Sequence, residues 1–364
     1  MSLIQAPSWL KNTYWPFVAA IAGLLSIGLL FIYSASHFDP AHYEVKQIFW
    51  IGLACIFFVA SSLMGYRVFL GVAPIFYIVV AAALFFVLVA GKTTLGAQRW
   101  IQLGPLALQP SEFAKLATVL FLADFLGDRP LPENESKSLF QAVVIALIPL
   151  GLILKQPDLG TAMVLLAMLI TVVFMWGLRY RYFITAFLSL AVTAPFLWTL
   201  LKTYQKKRIL VFLDPTMDPL GAGYTAIQSK IAVGSGGLLG KGYLAGTQTQ
   251  LQFVPEHHTD FIFCVFGEEW GFMGAILLLG LYWLLFSSAF KIISATTDQK
   301  ARLLGSGIMA MLFVQVFVNI GMTIGLMPIT GITLPLVSYG GSSMISTAIA
   351  LGLILSIYRE RSIF

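Results

Sequence analysis

Ten times along this chain a nearly charge-free apolar run reaches the length of a membrane-crossing helix: near residues 15–36, 47–66, 68–91, 112–127, 138–154, 159–178, 182–201, 262–290, 303–325 and 340–358. A hydrocarbon core takes about 20 residues of helix, and lipid offers no partner to a bare backbone amide. The chain therefore reads as an all-α, polytopic integral membrane protein with about ten transmembrane helices. Hydrophobic residues make up 59% of it and charged ones 10%, which leaves no interval able to bury a separate soluble core, so residues 1–364 form a single membrane domain. The run at Trp15–Ser36 lacks a strong basic lead and a persuasive cleavage site, and reads as a retained first span. One connection is long: residues 202–259 form a partly helical extracytoplasmic loop between spans seven and eight.

Ten spans put both termini on one side. That side carries Lys11, Arg67, Arg129, Lys137, Arg179, Arg181, Lys291, Lys300, Arg302, Arg359 and Arg361, eleven bases against the five of the other side, Lys46, Lys92, Arg99, Lys115 and Lys155, once the long loop is set aside. The positive-inside rule then makes both termini cytoplasmic. The net charge of +6 is spread along the chain and suits an anionic membrane surface. No basic cluster with interleaved aromatics points to nucleic acid. Cys55 and Cys264 lie in or beside apolar segments without metal-ligand spacing and read as small packing residues.

The outward side collects the polar chemistry. In Val254-Pro255-Glu256-His257-His258-Thr259-Asp260-Phe261, two of the four histidines and two carboxylates fall within five residues. Thr259 or Asp260 could cap the next helix, or Asp260 could be a general acid/base where a water-filled cleft meets lipid. A helix starting at Asp260 would set that residue about 15 Å above Trp270. In the fourth span Ser111 is a candidate cap, and Glu112 and Lys115 stand three residues apart on one face. At Lys155-Gln156-Pro157-Asp158, Pro157 breaks the helix and Asp158 can cap the next one or join a shared polar site. Gly91–Trp100 reads as a turn-rich loop with Trp100 at headgroup level.

Within the long loop, Arg208–Pro215 is apolar with a single base, and Tyr224–Val233 has a helical period that ends at Ser235-Gly236-Gly237. Lys206, Lys207, Arg208, Lys230 and Lys241 make it basic, which suits a phosphorylated lipid headgroup. The glycines and prolines of Gly325–Gly331 and Pro335–Ser343 imply irregular backbone at membrane depth, which is tolerated where it lines a cavity.

These stretches resemble the SEDS family (shape, elongation, division and sporulation), in order and over nearly the whole chain. The likeness is carried by Gly-Ala-Gln-Arg-Trp at 96–100, Gln-Pro-Ser-Glu-Phe-Ala-Lys at 109–115, Gln-Pro-Asp-Leu-Gly-Thr at 156–161, Asp-Pro-Leu-Gly-Ala-Gly-Tyr at 218–224, Pro-Glu-His-His-Thr-Asp-Phe at 255–261 and Pro-Leu-Val-Ser-Tyr-Gly-Gly-Ser at 335–342. Short tails and Gly-Thr-Gln at 246–248 make it look like the elongation branch rather than the division branch.

The resemblance implies a peptidoglycan glycosyltransferase that polymerises lipid II at the outer face of the cytoplasmic (inner) membrane. It implies as partners a class B penicillin-binding protein transpeptidase, other elongation-complex membrane proteins such as MreC and MreD, and membrane lipid. It also implies a divalent cation, Mg2+ or Mn2+. The family's essential loop aspartate falls on Asp260, the expected base of an inverting displacement in which undecaprenyl pyrophosphate leaves. Lys115, Arg208 and Lys230 are the candidate substrate-binding cations, with Glu112 holding Lys115 and Ser338 in the last motif. Asp158 goes either to the metal or to cleft structure, so the metal ligand stays open between Asp158 and Asp260. The rival readings are a lipid II flippase, against which stand the absence of paired broken helices and the one-sided polar groups, and a scaffold without chemistry.

Overall fold

A computed structural model describes residues 13–37, 42–94, 97–103, 106–129 and 135–361. Helices α1 (Trp15–Ser36), α2 (Tyr43–Met64), α3 (Tyr66–Ala90), α4 (Pro110–Gly127), α5 (Glu135–Lys155), α6 (Leu159–Trp176) and α7 (Tyr180–Leu200) fall on the first seven expected runs. The long loop contributes α8 (Thr203–Leu213), α9 (Ala222–Ser235) and the single turn α10 (Thr247–Gln250); α11 (Ile262–Ser294), α12 (Gln299–Thr323) and α13 (Gly341–Arg361) complete the bundle. Eight of these helices are long and apolar enough to cross a membrane. The other two of the ten expected spans are α4, which carries Glu112, Lys115 and Asp124, and α7.

The centre of the bundle is α4, α12 and α13, whose side chains are mostly buried, whereas α2 and α3 present Ile, Val and Phe outward. Without a hydrophobic drive between helices in lipid, close backbone approach has to supply the packing. Small residues permit it. A Cβ on Gly307 of α12 would meet Val119 of α4 at 2.2 Å and Val172 of α6 at 2.8 Å, and one on Gly352 of α13 would meet Ser61 of α2 at 2.0 Å. By contrast, α7 buries none of its described side chains. Cys264 is buried as a packing residue, while Cys55 is exposed on the outer face of α2.

At the terminal side, ion pairs join the helix ends. Lys300 bridges Asp124 and Asp128 at 2.8 Å each, Arg67 meets Glu360 at 3.4 Å, and Arg179 meets Glu135 at 3.3 Å. Lys11 of the basic count lies outside the described residues, as does Gly96 of the first family motif.

Two features of the opposite side depart from the sequence reading. The stretch read as a turn-rich loop pairs instead into a small antiparallel sheet, β1 (Lys92–Thr94), β2 (Ala97–Leu103) and β3 (Leu106–Leu108), with Lys92 opposite Trp100 and Ile101 opposite Leu108. β1 and β3 are three residues each, and β2 does not alternate, with Gln98 beside Arg99 and Trp100 beside Ile101. The second departure is a break in α11 at Gly271, where φ is 60° and ψ −156°. The loop backbone docks into that break: Lys241 N donates to Glu268 O and Gly242 N to Glu269 O at 3.0 Å, and Phe272 N donates to Gly237 O at 2.9 Å. A Cβ on Gly240 would lie 2.0 Å from Glu269 O, so only glycine allows this approach. The buried Glu268 carboxylate anchors the same loop, accepting from Lys241 Nζ at 2.7 Å, Gln248 N at 2.8 Å and Thr249 N at 3.1 Å.

Candidate active site

Asp260 lies at the end of a tight turn held from two directions. Thr259 N and Phe261 N both donate to Glu256 O, at 3.2 and 3.3 Å, and Glu256 takes a positive φ of 51° to make this possible. From the segment joining α12 to α13, Ser338 Oγ donates to Thr259 O at 2.6 Å and Tyr339 N donates to His258 O at 3.0 Å. From α12, Asn319 Nδ2 donates to Asp260 O at 2.8 Å and to Ile332 O at 2.6 Å. Helix α11 begins only at Ile262, its N-cap is Phe261, and no side chain caps it. Neither Thr259 nor Asp260 is therefore the helix cap that one reading of the sequence allowed.

The Asp260 carboxyl faces the irregular wall. A Cβ on Gly331, whose φ is +74°, would come within 3.3 Å of Asp260 Oδ2. Asp158 arrives from the start of α6, where its carboxylate accepts from Thr161 N at 3.1 Å and Thr161 Oγ1 at 3.0 Å. It is the cap of that helix. The same α6 end abuts the wall, since a Cβ on Gly160 would meet Thr330 O at 3.1 Å. Arg99 of β2 clamps the preceding turn, donating through Nε to Gln156 O at 3.0 Å and through Nη2 to Pro157 O. From above, α8 brings Tyr204 and Arg208, and both Tyr204 Oη and Arg208 Nη1 are buried without a hydrogen-bond partner.

These groups share one electrostatic neighbourhood. Asp260 is partly exposed at its own surface but densely surrounded by protein. Burial, then the charges of Glu256 and Asp158, push its carboxyl up to about 7, while Arg99 and Arg208 pull it back. Arg208 is shifted downward by burial and then by the like charge of Arg99, and it stays a cation. A carboxylate poised near neutrality beside a half-buried guanidinium whose buried Nη1 is an unfilled donor is suited to proton abstraction next to a developing negative charge.

Arg208 also lines a cleft running between α8, α9 and residues 322–329, with Val211, Phe212, Met327 and Lys230 among its walls. Lys230 is exposed, and its chain lies over Gly325. Glu112 and Lys115 pair with each other instead of opening to the cleft: Lys115 Nζ donates to both Glu112 oxygens at 2.9 Å, and Ser346 Oγ adds a bond to Glu112 at 3.3 Å. Both are buried. Ser111 is not the cap of α4, which starts from Gln109 with Pro110 in its first turn; the buried Ser111 hydroxyl has no partner. Ser338 Oγ is engaged on both sides, by Leu334 N at 2.8 Å and by Thr259 O.

The structure thus gathers Asp158, Arg208 and Asp260, places Lys230 along the adjoining cleft, sets Glu112 and Lys115 deeper as a pair, and puts Ser338 beneath the turn. Sequence reasoning did not assign Arg99, Tyr204, Glu256 or Asn319 to the site. The two amides of the apolar run, Gln315 and Asn319, were the available signal, because polar groups inside a span face cavities or partners.

Among the described residues no three His, Cys, Asp or Glu side chains come together to hold a metal. Asp158 is already engaged by Thr161. Magnesium is commonly held by one or two carboxylates together with substrate phosphates. This donor set fits a cation shared with a phosphorylated ligand, not a cage built by protein alone.

The FtsW/RodA/SpoVE family, described as cell cycle proteins, matches residues 15–363. The peptidoglycan glycosyltransferase MrdB of Escherichia coli strain K12 is 42% identical over 359 residues, 96% of each chain. A chain of a peptidoglycan synthase complex that coordinates polymerization and crosslinking superposes with a TM-score of 0.83 at 37% identity, covering 96% of this chain and 98% of that one. The rod shape determining protein RodA of Thermus thermophilus superposes with a TM-score of 0.73 at 34% identity, covering 98% and 99%.

Proposed function

The chain belongs to the FtsW/RodA/SpoVE family of cell cycle proteins, and from that premise we infer that it is a peptidoglycan glycosyltransferase of the elongation type. It is a multi-pass membrane protein. Its substrate is lipid II, polymerised at the outer face of the bacterial cytoplasmic membrane, with both chain termini cytoplasmic. The observation that carries the reading is Asp260: a carboxyl raised to about 7, fixed through its own backbone by Asn319, beside the partnerless Nη1 of Arg208.

In the transfer, the acceptor sugar hydroxyl gives its proton to the Asp260 carboxylate as its oxygen bonds the anomeric carbon of the donor. The bond from that carbon to the pyrophosphate oxygen breaks on the opposite face, so the anomeric configuration inverts in a single step. The departing charge falls to Arg208, with Lys230 farther along the cleft and Arg99 behind it. The apolar walls of the cleft suit the isoprenoid chain that the pyrophosphate carries. Asp158 keeps the end of α6 in place and adds negative charge that helps hold Asp260 ready to accept a proton. Glu112 and Lys115 act from below as a paired support to the substrate cleft.

A divalent cation, Mg2+ or Mn2+, would be held by Asp260 or Asp158 together with the donor's pyrophosphate, and when bound it neutralises leaving-group charge. The partner is a crosslinking transpeptidase, a class B penicillin-binding protein; the likeness to a chain of a synthase complex supports this. MreC and MreD complete the proposed assembly.

The test is polymerisation of labelled lipid II by the purified protein with its transpeptidase, comparing wild type with Asp260→Ala and Asp260→Asn. Loss of polymer in both, with the complex intact, supports the base assignment. Headgroup translocation without polymer from the wild type would favour the flippase instead.

A further inference from the structure

Helix α8 turns one face toward the cleft, and the transfer described above uses only part of it. Arg208, Val211 and Phe212 line the cleft with the i, i+3, i+4 spacing of a single helix face, and Tyr204 stands on that face one turn nearer the start of α8. That first turn is fixed, since Gln205 Oε1 accepts from Lys202 N at 2.9 Å. The Tyr204 hydroxyl is buried and has no hydrogen-bond partner among the described residues, and the same is true of Arg208 Nη1. Arg208 in turn lies within electrostatic reach of Tyr204, Arg99, Asp158 and Asp260, so this face looks onto the proposed place of transfer.

Other polar groups of the same loop are engaged. Lys207 Nζ meets Asp218 Oδ2 at 3.0 Å, Lys241 Nζ meets Glu268 Oε1 at 2.7 Å, and Tyr243 Oη donates to Leu30 O at 2.9 Å. Buried polar groups in folded chains are nearly always satisfied, and one left unfilled destabilises the fold. Two unfilled groups on one helix face therefore mark a place that a ligand completes. The guanidinium only donates and the hydroxyl can donate beside it, so the matching ligand atoms are acceptors. The guanidinium charge selects anionic oxygens among them. The two positions are about 6 Å apart along the helix, a span that the oxygens of two linked phosphoryl groups meet better than those of one.

We propose that Tyr204 and Arg208 form a diphosphate subsite, the Tyr204 hydroxyl donating to one phosphoryl group and Arg208 Nη1 to the other, so that α8 selects a diphosphate over a single phosphate. This rests on the glycosyltransferase reading, in which the ligand is the pyrophosphate of the lipid donor. The competing source is the single phosphate of a phospholipid headgroup, which orthophosphate represents.

The test is thermal unfolding of the full chain in detergent with a chelator present, titrated with inorganic pyrophosphate or with orthophosphate. Wild type should bind pyrophosphate at least about tenfold more tightly than orthophosphate. Tyr204→Phe should weaken pyrophosphate binding by about tenfold and orthophosphate binding by less than about threefold. Without ligand, Tyr204→Phe removes an unfilled polar atom and should unfold at or above the wild-type temperature, whereas Tyr243→Phe loses a made bond and should unfold lower with its pyrophosphate binding intact. Equal pyrophosphate affinity in wild type and Tyr204→Phe overturns the proposal, and so does a ligand-free Tyr204→Phe chain that unfolds below wild type. No binding of pyrophosphate by the wild type also overturns it, as does equal affinity for the two anions, which would give the pair to a single phosphate. In polymerisation of lipid II, Tyr204→Phe should lower kcat/KM by at least about tenfold. Absence of polymer from the wild type, with the preference for pyrophosphate present, would count against the glycosyltransferase reading alone.

Discussion

The side-chain amide nitrogen of Asn319 lies 2.8 Å from the backbone oxygen of Asp260 and 2.6 Å from that of Ile332, so one buried group in α12 ties the proposed base to the irregular segment that follows that helix. Asn319→Leu leaves both carbonyls unsatisfied in a buried setting, a loss of about 1–3 kcal/mol in stability. Asn319→Asp keeps the shape but turns an acceptor toward two acceptors, and should be at least as harmful. Both variants should reduce kcat by about ten- to a hundredfold through displacement of Asp260. Steady-state polymerisation and thermal unfolding check the two effects separately.

Because burial raises the Asp260 carboxyl to about 7, polymerisation should rise with pH through about 7 and level off above it, as the ionised form is the proposed base. The stability effect has the opposite sense. The folded state holds this proton more tightly than the unfolded chain, so the stabilisation it gives is complete at low pH and is lost as pH rises through about 7. Asp260→Asn cannot ionise. It should abolish polymerisation yet unfold at a higher temperature than wild type above neutral pH, and a scan of unfolding temperature against pH for both proteins checks the sign.

What the sequence revealed divides along a physical line. The spans were legible because a bilayer imposes one length and one composition on any helix that crosses it. Asp158 and Asp260 were legible as candidates because a charge costs so much near lipid that each stands out from the apolar run it adjoins, whereas Arg208 was one of several bases in a basic loop. Arg99 was not: its role depends on a clamp onto Gln156 and Pro157, more than fifty residues away, and on a sheet whose strands are three to seven residues long. The docking of Gly240 into the break at Gly271 was hidden for the same reason, since each glycine alone reads only as a turn. The mutual neutralisation of Glu112 and Lys115 was visible as spacing, but their burial was not.

Lys115 and Glu112 are 2% and 6% exposed and hold each other with two bonds of 2.9 Å. Removing one partner strands the other charge in the bundle. Lys115→Met and Glu112→Gln should each destabilise by about 3–5 kcal/mol, and the double substitution by less than their sum. A double-mutant cycle on thermal unfolding, with polymerisation measured on any variant that folds, separates the structural share of this pair from a share in substrate binding.

Arg208 and Lys230 line the same cleft with different exposure, Arg208 half-buried with a partnerless buried Nη1 and Lys230 open to solvent. A desolvated, charge-assisted bond to phosphate is worth roughly 1.5–3 kcal/mol, and an exposed one far less. Arg208→Ala should lower kcat/KM by at least about tenfold, and Lys230→Ala by less than about threefold. Equal effects of the two would show that the cleft closes over Lys230 when substrate binds.

The same geometry separates a cation held by protein from one carried in by substrate. No three of the described His, Cys, Asp or Glu side chains converge, and the Asp158 carboxylate is occupied by Thr161. Calorimetric titration with Mn2+ should therefore show little binding to the protein alone and measurable binding once inorganic pyrophosphate is present, because phosphate oxygens complete a coordination shell that one or two carboxylates begin. Arg208→Ala should weaken the pyrophosphate-dependent binding and Asp260→Asn should reduce it further if Asp260 is the ligand. Undiminished binding in Asp260→Asn, lost in Asp158→Asn, would assign the cation to Asp158 and leave Asp260 free for the proton. Tight Mn2+ binding without pyrophosphate would mean that the carboxylates draw together in solution into a site the described arrangement does not contain.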